Sequence, residues 1–358
     1  MKIVHVITKL DIGGAQSVVR ELVSDQIHAG HSTTVITGTL GPVSTHLANL
    51  GVEVLHHEGL THAIDPLRDR RAGVRLQSML RDIGPDLVHS HSSKTGLLGR
   101  QAAKQLDLPS VYTAHGWPFQ KGAPLKQRLL SWAGETSAGR SGGHIVCVTS
   151  SDFALARKLR LAPESRVHLV PNGIGTEPIH HIGDDSELFT VVMVARFASP
   201  KRHDLVVQAM RLLPRRVRVV FIGDGPRMPS ARKRAGVLGE RIVFEGAKDP
   251  SDWLARSSAI VLMSDYEGLP MSVLEGMRAG LPVIANDLPG VRDAVTDGIE
   301  GLLVQKSPLG LATALRSLTT NLSFAAELGR AAQQRWTADF RSNTMTDRYF
   351  EIYLQALR

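Results

Sequence analysis

Short apolar runs rich in valine and isoleucine alternate with longer amphipathic segments along the whole of this 358-residue chain. Apolar, β-branched runs bounded by polar residues indicate buried strands, and the segments between them have the length and periodicity of helices. This alternation predicts an α/β fold with parallel sheets covered by helices on both faces. The predicted strands are 3–7, 34–36, 52–55, 87–89, 110–113, 145–148, 167–170, 190–194, 217–222, 242–244, 260–263, 282–285 and 302–304.

The strand–helix pattern restarts near residue 190, after a stretch from Pro171 to Glu187 that is dense in Gly, Pro and Asp. A chain of this length exceeds one ordinary core, so two Rossmann-like domains are expected. We predict a first domain at 1–178 and a second at 179–337, with an amphipathic tail at 338–358 that packs back on the first. Two such sheets would face each other across an interdomain cleft.

Composition excludes several classes of protein. The single Cys147 lies in an apolar strand-like run, which predicts neither a disulfide framework nor a cysteine-based metal site. The formal net charge is +8, but Lys and Arg are scattered and no nucleic-acid motif is present, so we expect no nucleic-acid partner. No run approaches the roughly 18 to 20 apolar residues of a membrane span, and the N-terminal run is too short for a signal peptide. A cytoplasmic protein is therefore expected.

Two carboxylates bracket the junction of a predicted strand and helix. Glu267 follows the run 260–263, and Glu275 lies near the start of a helix predicted at 271–279. In open α/β sheets this carboxyl edge is where ligands bind. Ionised carboxylates only accept hydrogen bonds, which suits the hydroxyls of a sugar. Alternatively, Glu275 stabilises the helix through its dipole.

Two cations follow the first predicted strand of the second domain. Arg196 offers a planar fork of donors and Lys201 a point charge, a combination suited to a diphosphate. The alternative is that both are ordinary charges on a solvent-exposed loop and bind no ligand.

Glycines follow several predicted strands. Gly13 and Gly14 precede a helix, where paired glycines let a phosphate approach backbone amides, although a plain tight turn needs them equally. Gly223, Gly246 and Ala247 lie in later strand-end loops. Those loops either meet a nucleotide base or merely turn the chain.

Polar residues also end two strands of the first domain. His115 follows the run 110–113 and is suited to orienting a hydroxyl, while Ser93 and Lys94 suit a helix cap or an anionic acceptor. His91 lies two residues after His89, but with no third ligand in view we predict no metal site.

A basic, aromatic stretch follows at 117–132, with Lys121 among its charges. Such a segment either lies on an anionic membrane or packs on the sheet.

Taken together, these motifs resemble the retaining glycosyltransferases of family 4, which have the GT-B fold. The resemblance covers nearly the whole chain and is strongest from Arg196 to Val304. It rests on the Glu-x7-Glu spacing of Glu267 and Glu275 within Glu-Gly-Leu-Pro, followed by Ala-Gly-Leu-Pro-Val-Ile-Ala, and on the order of the Arg196–Lys201 pair and the glycine motifs. The segments 91–96 and 113–117 resemble the branch that builds bacterial capsular and exopolysaccharide repeat units on polyprenyl diphosphate carriers.

The resemblance implies roles for these residues. Arg196 and Lys201 would hold the donor diphosphate, Glu275 the ribose hydroxyls, and Glu267 the transferred sugar. The remaining donor contacts implied are Gly13, Gly14, Gly223, Gly246, Ala247, Gly268 and Leu269. His115 would contact the sugar or assist the acceptor, whose other contacts would be His91, Ser93, Lys94 and Lys121.

The resemblance also implies a reaction with retention, in which the leaving group departs and the acceptor attacks on the same face, without a metal or another cofactor. The donor is expected to be a nucleotide diphosphate sugar, with UDP as the nucleotide. Gly175 and Gln16 depart from the family pattern, which often has Asp and Glu there. Two alternatives stay open: a sugar-nucleotide 2-epimerase of similar fold, and a subunit that binds sugar nucleotide without catalysis.

Overall fold

A computed structural model describes residues 1–61, 65–117, 132, 134–136, 138–139, 142–182 and 188–358. The chain divides into two compact units, Met1–Gly173 with Ser342–Arg358, and Ile174–Arg341. The sequence placed the boundary at 178, slightly after this division and within the same Gly-, Pro- and Asp-rich stretch. The last helix, Ser342–Ala356, belongs to the first unit, where it packs against the helix Gly14–His28.

The first unit is built on a seven-stranded parallel sheet. Its strands are β1 (Lys2–Ile7), β2 (Ser32–Thr37), β3 (Glu53–His56), β4 (Leu87–His91), β5 (Ser110–Ala114), β6 (His144–Cys147) and β7 (Val167–Leu169). They lie in the order β3-β2-β1-β4-β5-β6-β7. Strands β1 to β3 therefore follow one another toward one edge of the sheet, and β4 to β7 follow one another toward the other edge. The direction of winding reverses between β1 and β4.

Helices cover the first sheet because their apolar faces pack on the strands. The described helices are Gly14–His28, Pro42–Asn49, Pro66–Ile83, Ser93–Gln105, Ser150–Lys158 and Ser342–Ala356. Helix Pro66–Ile83 begins where the Asp65 side chain accepts hydrogen bonds from two backbone amides, and it ends at Gly84 in the left-handed conformation. Its buried Leu76 and Leu80 pack in a core with strand residues such as Val88.

The second unit has a six-stranded parallel sheet. Its strands are β8 (Phe189–Val194), β9 (Val217–Ile222), β10 (Ile242–Gly246), β11 (Ala259–Leu262), β12 (Val283–Asn286) and β13 (Gly301–Val304), in the order β10-β9-β8-β11-β12-β13. Its helices are His203–Met210, Met228–Ala235, Ser251–Arg256, Met271–Arg278, Pro289–Arg292, Pro308–Thr320 and Leu322–Asp339.

Close packing fixes the helix Met271–Arg278 on this sheet. A Cβ at Gly276 would lie 2.3 Å from the Ile260 side chain on β11, so only glycine allows the helix this approach. The approach places the start of the helix, and with it Glu275, at the carboxyl end of β11.

The prediction of parallel sheets in an α/β fold is confirmed, and each of the predicted strands overlaps one in the structure. Among the described residues, no helix combines the length and apolar character needed to cross a membrane.

Candidate active site

In the second unit, the winding of the sheet reverses between β8 and β11, which lie side by side. At such a reversal the loops leaving the two strands diverge, and the crevice between them is where ligands bind in open parallel sheets. Arg196 and Lys201 lie on the loop after β8, and Glu267 lies on the loop after β11. The sheet topology therefore gathers residues that are distant in sequence.

Backbone hydrogen bonds tie these two loops together. The Arg202 amide donates to the Met263 carbonyl at 2.9 Å, and the Asp265 amide donates to the Pro200 carbonyl at 3.0 Å. Lys201 and Ser264 form an isolated bridge between the same segments. The backbone is thus held so that side chains of both loops meet.

Lys201 and Glu267 form an ion pair at this point. The Lys201 ammonium contacts a carboxylate oxygen of Glu267, and the side chains are only 19% and 10% exposed. Arg196, on the same loop as Lys201, is exposed. The second unit therefore presents one cation held by a carboxylate and a second one open to solvent.

The glycines after β9 are required by close backbone packing. A Cβ at Gly223 would lie 2.2 Å from the Ala195 carbonyl oxygen, and one at Gly225 would lie 2.7 Å from that of Phe197. Both have positive φ, at +141° and +152°. These glycines let the loop after β9 pack against the Arg196 loop, which gives the motif a packing reason besides any nucleotide contact.

The strand-end loop after β10 is open. Ala247 is exposed, and Gly246 has a φ of +73° with no atom within 4 Å of an added Cβ. The Gly246 carbonyl accepts a hydrogen bond from the Gly223 amide at 2.7 Å, so the two loops are adjacent.

Glu275 is half-buried on the helix Met271–Arg278, and Leu269 is buried in the preceding loop. Gly268 lies between Glu267 and this helix. Its carbonyl oxygen would lie 1.9 Å from a Cβ added at Gly290, so the short helix after β12 packs directly on the Glu267 loop.

Two residues that sequence reasoning missed hold this loop. Gly290 allows the close approach just described, and the buried Asn286 at the end of β12 accepts a hydrogen bond from the Ser264 amide at 2.7 Å. The sequence could have identified both from their position, since they follow a predicted strand of the second domain, as Arg196 and Glu267 do.

In the first unit, the winding reverses between β1 and β4. The loops after these strands contact each other where the hydroxyls of Thr8 and Ser92 lie 3.3 Å apart. Gly13 and Gly14, at the start of the following helix, lie on the β1 side of this edge. Gly13 and Gly14 thus lie at the same carboxyl edge of the first sheet as the polar residues that follow β4.

His115 lies at this edge, after β5, and its ring Nε2 is 3.2 Å from Nδ1 of His91. Nε2 of His91 is in turn 2.9 Å from Nδ1 of the buried His5 on β1. Burial lowers the pKa of His5 and of His115 to about 4. Burial and the neighbouring imidazoles hold the pKa of His91 well below its usual value. All three rings are therefore neutral near pH 7.

This chain of rings changes the interpretation of His91. Both of its nitrogens are engaged within the protein, so it supports His115, and an acceptor would have to displace one of these contacts to bond it directly.

The structure supplies the third potential ligand that the sequence did not show beside His89 and His91. His5, 84 positions before His89 and aligned with it across β1 and β4, brings its ligand atoms within 4.8 Å of theirs. The ring nitrogens of these three residues are nevertheless occupied by hydrogen bonds to protein atoms: His5 to Gln26 and His91, His91 to His5 and His115, and His89 to Tyr353 and Thr113. The cluster is therefore a hydrogen-bonded network within the fold.

The other predicted acceptor residues differ in their surroundings. Ser93 is half-buried at the start of the helix Ser93–Gln105. The Lys94 ammonium lies 2.6 Å from the Asp69 carboxylate, with its side chain 10% exposed, so an acceptor would have to share it with Asp69. Lys121, and all but the ends of the segment 117–132, lie outside the described residues.

Comparisons with known proteins bear on this arrangement. Residues 13–173 match the family model described as "Glycosyl transferase 4-like domain", and residues 189–321 match that described as "Glycosyl transferases group 1". The chain is 30% identical to alpha-maltose-1-phosphate synthase of Mycolicibacterium smegmatis over 308 residues, which cover 75% of this chain and 78% of that protein. It is 28% identical to UDP-Gal:alpha-D-GlcNAc-diphosphoundecaprenol alpha-1,3-galactosyltransferase of Escherichia coli over 287 residues, or 74% of each chain.

Among solved structures, the chain is similar to HepE of Anabaena in complex with UDP and glucose. The TM-score is 0.85 at 17% identity, with 99% of this chain and 100% of that chain covered. With the two parallel-sheet units described above, this similarity confirms the predicted GT-B fold.

Proposed function

Since this chain belongs to the GT-B glycosyltransferases of the group 1 and 4-like families, we propose which group it transfers and to what. The donor is a nucleotide diphosphate sugar, with UDP as the nucleotide and a hexose or N-acetylhexosamine as the sugar. The acceptor is a glycan or a polyprenyl-diphosphate-linked sugar, and transfer proceeds with retention. The product is a bacterial cell-surface polysaccharide, such as a capsule, exopolysaccharide or lipopolysaccharide. The acceptor named for the Escherichia coli relative supports this choice.

The observation that carries the proposal is the meeting of Lys201 and Glu267 at the switch point of the second sheet, with Arg196 on the same loop. A nucleoside diphosphate leaving group gains negative charge as the glycosidic bond breaks. Fixed cations at that position stabilise the developing charge, and removing one well-placed group of this kind costs on the order of 10²–10³ in kcat. With two cations available for this task, we propose that the reaction requires no metal ion.

Glu267 and Glu275 place the donor in this proposal. Glu275 accepts hydrogen bonds from the ribose hydroxyls, and Glu267 contacts the transferred sugar while holding Lys201. A glycosidase-type pair needs one protonated carboxyl and one carboxylate flanking the scissile bond. Glu267 is instead ion-paired with Lys201, which favours a positioning role over an acid–base couple.

The first unit supplies the acceptor side. His115 contacts the transferred sugar or assists the acceptor hydroxyl, and Gly13 and Gly14 leave room for phosphate at a helix start. We also propose a cytoplasmic location with peripheral attachment to anionic membrane, supported by the net charge of +8 and by the basic composition of residues 117–132.

Replacing Lys201 by Ala tests the proposal. We expect turnover of UDP-glucose or UDP-galactose, measured as UDP release with and without added acceptor, to fall about 100-fold. We also expect the rise in melting temperature that UDP causes to shrink, since a ligand stabilises the folded state by mass action. The matched control is Lys233→Ala, which removes the same charge from an exposed position on the helix Met228–Ala235.

Turnover by Lys201→Ala equal to that of the parent would contradict the diphosphate assignment. Conversion of UDP-N-acetylglucosamine to its 2-epimer would instead favour the epimerase alternative. Stabilisation by UDP-sugars with no turnover of any of them would favour a subunit that binds without catalysis.

A further inference from the structure

A chain of hydrogen bonds in the first unit leads from Gln26, on the helix Gly14–His28, to His115 at the carboxyl edge of the sheet. Oε1 of Gln26 lies 2.9 Å from Nε2 of His5. Nδ1 of His5 lies 2.9 Å from Nε2 of His91, and Nδ1 of His91 lies 3.2 Å from Nε2 of His115. Gln26, His5 and His91 are fully buried, so water does not compete for these contacts.

The direction of each hydrogen bond follows from the first one. An amide oxygen only accepts, so Nε2 of His5 carries the proton and its Nδ1, in a neutral ring, is an acceptor. His91 must then donate from Nε2 and accept at Nδ1. His115 must likewise donate from Nε2, which leaves its Nδ1 unprotonated.

The neutrality that this deduction needs has a physical cause. Burial lowers the pKa of His5 and His115 to about 4 and places that of His91 well below its usual value. Each neutral ring then carries one N–H, and the acceptor oxygen of Gln26 determines which nitrogen is protonated in all three rings.

A second branch of the network is satisfied by this orientation of the Gln26 amide. Its Nε2 donates to the Tyr353 hydroxyl at 3.3 Å, and that hydroxyl lies 2.7 Å from Nδ1 of the neutral His89. The Thr33 hydroxyl donates to Oε1 of Gln26 at 3.3 Å. A flipped amide would turn its nitrogen toward His5 and reverse every proton in the chain, so the tautomer of His115 reports the orientation of Gln26.

The far end of the chain is incomplete. Nδ1 of His115 is buried and has no hydrogen-bond partner in the part of the chain that the structure describes. An unsatisfied buried acceptor is unfavourable, and a hydroxyl donor on a bound substrate would relieve it.

We propose that Gln26 is a positioning residue that, through His5 and His91, holds His115 as the Nε2–H tautomer and so presents Nδ1 as an acceptor to a substrate hydroxyl. The hydroxyl contact rests on the proposed glycosyl transfer, whereas the tautomer does not. Because His115 is neutral, it accepts a hydrogen bond from the sugar or acceptor hydroxyl and contributes no charge to the diphosphate. Charge stabilisation is left to the cations of the second unit.

The tautomer is measured on the substrate-free protein with ¹⁵N-labelled histidine, where the protonated and unprotonated ring nitrogens have separate resonances and His115→Asn supplies the assignment. We expect the parent His115 to be protonated on Nε2. In Gln26→Met, which has similar length but no acceptor, no oxygen holds the proton on Nε2 of His5, so both tautomers become accessible and we expect the His115 population to shift toward Nδ1–H.

The matched control is Tyr349→Phe, which removes a buried hydroxyl from the end of the second branch, 3.0 Å from Thr113, and leaves the chain from Gln26 to His115 intact. We expect the parent tautomer in this variant. A parent His115 protonated on Nδ1, or an unchanged tautomer in folded Gln26→Met, would overturn the inference. The parent spectrum decides this even if Gln26→Met does not fold.

Kinetics separate this inference from the proposed function. With UDP-glucose or UDP-galactose, we expect kcat/KM of Gln26→Met to fall about tenfold, the equivalent of one lost hydrogen bond, with Tyr349→Phe near the parent. An inverted tautomer with unchanged kcat/KM would refute the substrate contact. If the parent turns over no nucleotide sugar, the proposed function is wrong. The NMR spectrum still tests the tautomer, because that measurement does not depend on turnover.

Discussion

Mild acid should destabilise this protein strongly, because three fully buried histidines cannot take up protons while it is folded. Burial lowers the pKa of His5 to about 4, and that of His89 and His91 lies well below its usual value. In the unfolded chain each titrates near 6.5, so moving from pH 7.5 to 5.5 favours unfolding by about 1.4 kcal/mol per histidine. The three together should lower the free energy of unfolding by about 4 kcal/mol.

The sign follows from proton uptake. Between pH 6.5 and about 4 the unfolded state binds more protons than the folded state, so stability falls as the pH falls through that window. Other histidines with lowered pKa act in the same direction: His31, His57, His115, His144, His168 and His203. Asp25, whose pKa burial raises, acts in the opposite direction but at lower pH.

Urea unfolding at the two pH values, followed by circular dichroism, measures the loss. His5→Leu should be less stable than the parent at pH 7.5, yet lose about 1.4 kcal/mol less on acidification, because one buried imidazole is gone. The control is His46→Gln, at an exposed position on the helix Pro42–Asn49, which removes a histidine outside this network. A loss below about 1.4 kcal/mol in the parent, or an unchanged loss in His5→Leu, would refute the reasoning.

Two further predictions concern the Glu267 loop and the membrane. Gly290→Ala should cost about 1–3 kcal/mol of stability and weaken UDP binding several-fold, since its Cβ would lie 1.9 Å from the Gly268 carbonyl oxygen. Denaturation and UDP thermal shifts measure both, and Gly236→Ala, where an added Cβ meets nothing within 4 Å, is the control. Normal UDP binding by Gly290→Ala would contradict the loop's role. Flotation with anionic liposomes should succeed at low salt and weaken at high salt, because the attraction is screened. Equal absence of binding at both would defeat the membrane proposal.

Periodicity located the strands because burial on both faces leaves a local signature in each one. The run Ala259–Leu262 is apolar throughout, and its predicted counterpart at 260–263 differs only at the ends. Strand-end motifs were equally local, so Arg196, Lys201 and Glu267 could be assigned to the carboxyl edge from their positions after a strand.

The histidine network could not be found that way. The i, i+2 spacing of His89 and His91 places them on one face of β4, which the sequence does show. His5 joins them only because β1 lies beside β4 with His5 opposite His89, and sheet order is decided by the packing of the whole unit. Gln26 lies on a helix, and its link to Tyr353 near the far end of the chain is a long-range contact with no local trace.

In each unit, the residue proposed to meet the substrate is held by a neighbour from another strand–loop segment. Lys201 is held by Glu267, and His115 is held by His91. A freely rotating lysine or imidazole would have to be ordered when the substrate binds, and the loss of rotamer freedom would weaken binding and catalysis. Groups oriented beforehand need little reorganisation as charge develops, which is the basis of electrostatic stabilisation of a transition state. Glu267 therefore orients the Lys201 ammonium in the free protein, as well as contacting the sugar in the proposed mechanism.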